Sequence, residues 1–72
     1  MIGNKIEIMR QCEVDYSITN NKIEVKLNNY MVFYSSSKSL NIFKKAEKLA
    51  CELKTSFRNA LYISLYDNLF GQ

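Results

Sequence analysis

Two asparagine pairs, Asn20-Asn21 and Asn28-Asn29, constrain this chain more than any other feature. Asparagine accepts the positive φ that a tight hairpin turn needs, and the segments around both pairs alternate. From Lys5 to Thr19 every even position except Arg10 is apolar: Ile6, Ile8, Cys12, Val14, Tyr16 and Ile18. That is the period of a strand with one face buried. Arg10 and Gln11 interrupt it, so a bend or bulge is expected to split the segment in two. A turn at Asn20-Asn21 pairs Ile18 with Ile23, Tyr16 with Val25 and Val14 with Leu27. A turn at Asn28-Asn29 sets Val25 opposite Val32 and Ile23 opposite Tyr34. All of these fall on one face, so the register is self-consistent. Met31 and Phe33 project to the other face, an apolar island among Glu13, Asp15, Lys22, Glu24 and Lys26.

A sheet with one greasy face needs a cover, and the second half supplies one. Ser35, Ser36, Ser37 or Ser39 is suited to cap a helix. From Leu40 onward apolar residues recur at three and four: Ile42, Phe43, Ala46, Leu49, Ala50, Leu53 and, at the limit, Phe57. Lys44, Lys45, Glu47, Lys48, Glu52 and Lys54 lie opposite, which is the pattern of an amphipathic helix. In the last stretch, Leu61, Ile63 and Leu65 alternate with Tyr62, Ser64 and Tyr66. Phe57, Ala60, Leu61 and Leu65 also fit a helical stripe, and Gly71 suits a helix end. Arg58 near the start and Asp67 near the end oppose a helix dipole, and the Leu-Tyr-Ile-Ser-Leu-Tyr run favours β structure, so a strand is preferred. The expected fold is α+β, one domain over residues 1–72. An antiparallel β-meander of three to four strands is covered on one face by one amphipathic helix and followed by a C-terminal strand, the alternative being a second helix.

A chain of 72 residues buries only about 60% of its unfolded surface, so such domains lean on efficient packing or a partner. Cys12 and Cys51 have no CxxC spacing and read as small core residues in a reducing compartment. The first residues hold no apolar run of signal-peptide length, and no stretch approaches the roughly 20 apolar residues that span a bilayer. The expected class is soluble and cytoplasmic, without membrane contact. Asn, Lys, Ile and Tyr make up 28 of the 72 residues while Pro is absent. Their codons are AT-rich, which points to a small complete frame of a low-GC bacterium, phage, plasmid or virus.

The absence of histidine removes the commonest general base and metal ligand. Two isolated cysteines fall short of a zinc site, and two glycines cannot build a phosphate loop. Glu7, Glu13, Asp15 and Glu24 interleave with lysines as a solvated face. The chain is therefore expected not to be an enzyme, with no catalytic, cofactor or metal residues.

Three features are left to carry function. If the last segment is a strand, Met31, Phe33, Tyr62 and Tyr66 form an exposed patch of the residue types enriched at protein interfaces. Lys38, Lys44, Lys45, Lys48 and Lys54 place the whole net charge of +3 in residues 37–72, a candidate anion or nucleic-acid patch. The open sheet edges invite strand addition or a homodimer. The leading expectation is a small protein-binding accessory or inhibitor, encoded by a phage or mobile element, that occludes a surface of a host protein. The alternatives are a small basic nucleic-acid-binding regulator and a structural homo-oligomeric subunit.

Overall fold

The computed structural model describes residues 2–71. Its elements run α1 (Ile2–Arg10), β1 (Glu13–Ser17), β2 (Lys22–Leu27), β3 (Tyr30–Phe33), α2 (Ser36–Leu53) and α3 (Phe57–Phe70). The three strands form one antiparallel sheet in the order β1-β2-β3. A layer of helices covers one face and leaves the other open, so the α+β class holds while two of its elements change.

The first correction concerns residues 5–10, which form the body of α1 and not a strand. Lys5, Ile6 and Met9 turn inward at helical spacing. Met9 is 0% exposed whereas Ile8, the residue that alternation turns inward, is 40% exposed. The helix ends by tightening, with Gln11 N–H donating to Ile8 O and Cys12 N–H to Met9 O, both at 3.1 Å. Arg10 sits in the last turn, where the dipole favours a cation. True alternation begins at Cys12, and the exception at Arg10 marks the change of element.

The hairpins keep their predicted faces. Between β2 and β3, Val25 opposes Val32 and Leu27 opposes Tyr30, which leaves Asn28-Asn29 as the two-residue turn with Asn28 at φ 51. Between β1 and β2 the register differs by two residues from the expected one, with Tyr16 opposite Ile23 and Val14 opposite Val25. The loop is four residues long, Ile18 to Asn21, closed by Asn21 N–H donating to Ile18 O at 3.2 Å. Asn21, at φ 51, supplies the left-handed residue at its end. A slip of two preserves each side chain's face, so Ile23 and Val25 remain buried, but Ile18 is left outside the sheet and exposed.

Ser35 caps α2, its hydroxyl accepting from Lys38 N–H at 3.2 Å. Ser39, Ile42, Phe43 and Ala46 are buried along its stripe. Lys54, at φ 53, ends the helix in the left-handed conformation, and Thr55 N–H reaches back to Ala50 O at 3.1 Å.

The second correction is α3, a full helix where a strand was expected. Ser56 caps it by accepting from Asn59 N–H at 3.1 Å. Ala60 through Leu65 are six consecutive buried residues, because α3 packs against both α2 and α1. A helix apolar all round belongs in an interior and shows no amphipathic stripe, so its sequence mimics a buried strand. The dipole penalties at Arg58 and Asp67 amount to only a few tenths of a kcal/mol each, far below the burial gain. Tyr16, Phe43 and Phe57, with ring centroids 6.1–6.4 Å apart, fasten β1, α2 and α3 together. Lys5 Nζ donates to Asp67 Oδ1 at 2.8 Å and joins α1 to α3.

Candidate functional site

Strand alternation sets Met31 and Phe33 on the open face, away from the helices. Phe33 faces Glu24, which in turn faces Asp15, and Met31 faces Lys26, which faces Glu13. Phe33 is 67% exposed and Met31 40%. Lys22 Nζ lies 3.7 Å from Glu24 Oε2. The result is a rigid platform with two large apolar side chains at the β3 margin and charges of both signs behind them. β3 itself, Tyr-Met-Val-Phe, contains no charged residue and forms the sheet's edge.

Tyr62 and Tyr66 are not part of this platform, because the strand that would have carried them outward does not exist. In α3, Tyr62 is 8% exposed, and its hydroxyl accepts from Arg58 Nε at 3.0 Å. That hydrogen bond, followed by the charge interactions with Tyr62 and Tyr16, raises the Arg58 pKa above its ordinary value against a small opposing desolvation. Tyr66 is half-buried, its ring 5.0 Å from that of Phe70 and 5.7 Å from Lys5 Nζ.

The five lysines are all exposed on or beside α2. At ~100° per residue, Lys38, Lys44, Lys45 and Lys48 share roughly a third of the helix circumference. Glu52 enters the same arc and Glu47 borders it. Lys54 stands apart at the helix end.

Two grooves were not visible in the sequence because they form only once the helices dock. One, of about 350 Å³, lies between the end of α1, the β2–β3 turn and the end of α3, and includes Ile8, Leu27, Tyr30 and Phe70. The other, also about 350 Å³, includes Ile18, Leu40, Phe43 and Phe57. Exposed Ile18 and Leu40, read as an inward strand residue and as the start of the helical stripe, gave the only sequence signal.

Burial raises the Cys12 thiol pKa, and Cys12 and Cys51 are free. Among the described residues no three His, Cys, Asp or Glu side chains are grouped to hold a metal ion, and no helix is long and apolar enough to cross a membrane. Set against known proteins, the chain matches no family model, no curated protein and no solved structure.

Proposed function

We propose that this protein is a small non-enzymatic accessory or inhibitor that works in the cytoplasm by covering a surface of a host protein, and that it is carried by a phage or another mobile element. The observation that supports this reading is the uncovered sheet face with Phe33 and Met31 at its margin. An aromatic side chain offers a large contact area for few rotatable bonds, and Met is enriched beside aromatics at interfaces.

The test uses the double variant Met31→Glu/Phe33→Lys. The introduced carboxylate would face Lys26 and the introduced ammonium would face Glu24, so the sheet keeps favourable cross-strand pairs while the apolar surface is lost. Immobilised wild type is expected to retain one stoichiometric protein from lysate of the source cells, and the double variant to lose it. Recovery of no such protein, or equal recovery by both baits, contradicts the proposal.

The lysine arc of α2 supports a second reading, a regulator that binds nucleic-acid phosphates. It requires binding that falls steeply with salt, measured by fluorescence anisotropy on labelled duplex and single strands. Salt-insensitive or absent binding removes it.

A further inference from the structure

The two edges of the sheet are chemically unequal. Tyr34 N–H donates to Ile23 O at 3.2 Å, which fixes the alternation of the β2–β3 ladder: Tyr30, Val32 and Tyr34 direct their backbone groups at β2. Met31 and Phe33 therefore direct theirs outward. The free edge carries two N–H donors and two C=O acceptors, spaced as the centre of an antiparallel ladder. The strand has no Lys or Pro and its register with β2 is unbroken, so of the devices that blunt an edge it has only its shortness.

We infer that β3 pairs with β3 of a second copy about a two-fold axis at Val32, giving a continuous six-stranded sheet. In this register Met31 faces Phe33 of the second copy and Phe33 faces its Met31. The outward groups then form four backbone hydrogen bonds, and the arrangement closes at two copies because it is isologous. On the open face the four side chains merge into one apolar cluster. On the covered face Tyr30, 63% exposed, comes opposite Tyr34 of the second copy, an aromatic cross-strand pair.

Charge selects this edge over the other. Behind the cluster, each Lys26 shares a row with Glu24 of the second copy three strand spacings, ~14 Å, away, so this register opposes no like charges. On β1 the outward backbone groups belong to Val14 and Tyr16. A two-fold at Asp15 or Val14 places Asp15 opposite Asp15 or Glu13 opposite Asp15, and directly opposed like charges are destabilising; a two-fold at Tyr16 sets Asp15 opposite Ser17 but brings only residues 15–17 of the strand into register. The interface is narrow, five residues per copy from Tyr30 to Tyr34, which places it among weak and transient contacts. It does not depend on the host-protein reading. Backbone atoms make the pairing, and the apolar side chains stay exposed on the open face.

The test is light scattering and sedimentation over ~10 µM to ~1 mM protein, a range that brackets weak association. Wild type is expected to rise from 8.4 kDa toward twice that mass. Met31→Pro deletes an outward N–H without touching the β2 ladder, and should stay at single-chain mass with an unchanged circular dichroism spectrum. Phe33→Lys, which gains Glu24 as a neighbour and so preserves the fold, should weaken association on the order of tenfold. Met31→Glu/Phe33→Lys should restore it, since the new carboxylate of one copy then faces the new ammonium of the other. A wild type that stays single-chain at ~1 mM overturns the inference. So does association that survives both Met31→Pro and Phe33→Lys, growth beyond two copies, or a double variant that fails to restore pairing.

Discussion

Met9 and Ile8 separate two readings of residues 5–10. Alternation turns Ile8 inward, whereas the helix buries Met9 completely and leaves Ile8 40% exposed. Met9→Ala is expected to cost about 2–5 kcal/mol as a core truncation. Ile8→Ala should cost less than about 1 kcal/mol. Urea denaturation of the two variants measures both, and the reverse order would restore the strand. Tyr34 makes a second residue-scale case. Its hydroxyl is buried without a hydrogen-bond partner among the described residues, so Tyr34→Phe is expected to stabilise by up to about 1 kcal/mol at neutral pH. Desolvation also raises its pKa above the ordinary 10.0. The native state thus holds the phenolic proton more tightly than the unfolded chain. This contribution is complete below pH 10.0 and is lost as pH climbs through the native value. Cys12, raised above 9.0 by the same cause, acts similarly from about that pH. Stability is therefore expected to decline in alkali, with Tyr34→Phe removing the later part of the decline in a pH series of denaturation midpoints.

At the scale of elements, legibility followed how many faces each element buries. The second helix has one buried stripe, and its period, its serine cap and its buried residues Ile42, Phe43 and Ala46 were all readable. The β2–β3 hairpin was readable to the residue, because Asn28-Asn29 sets both loop length and register. For β1 the face was readable and the register was not, since a slip of two leaves the face unchanged. The first helix was missed and the third stood second to a strand, for opposite reasons. In α1 only a few residues point inward, and Ile6 and Ile8 happen to continue the alternation of β1. In α3 nearly every residue from Ala60 to Leu65 is buried, so no stripe remains to be seen. The platform of Met31 and Phe33 was legible because it depends on alternation alone, whereas Tyr62 and Tyr66 depended on the segment that was misread. The α2–α3 connection yields its own expectation. Lys54 holds a left-handed conformation that costs a non-glycine residue roughly 1–2 kcal/mol. Lys54→Gly should raise stability by a few tenths to about 1 kcal/mol, since the relief exceeds the entropy glycine adds to the unfolded chain. Calorimetry would show it as a higher midpoint.

For the whole molecule, one core serves all six elements. Met9 of α1, Ile23 and Val25 of β2, Phe43 of α2 and Leu65 of α3 belong to a single buried cluster. Stability near 0.05–0.15 kcal/mol per residue amounts to roughly 4–11 kcal/mol here. Two core truncations consume most of it, so Met9→Ala/Leu65→Ala is expected to unfold at 25 °C, seen as collapsed amide dispersion by NMR, whereas each single variant stays folded. The docking of α1 on α3 carries a further consequence for the order of events in synthesis. Lys5 and Asp67 lie 62 positions apart, so a ribosome working at ~5–20 residues per second spends several seconds between them. From the addition of Phe33 onward the strands of the meander are all made, but their greasy side waits for a lid not yet made, and the bare margin is free to find the same margin on a neighbouring nascent chain. A polysome is therefore the place where this protein is most exposed to misassembly, and the last helix is what ends the risk.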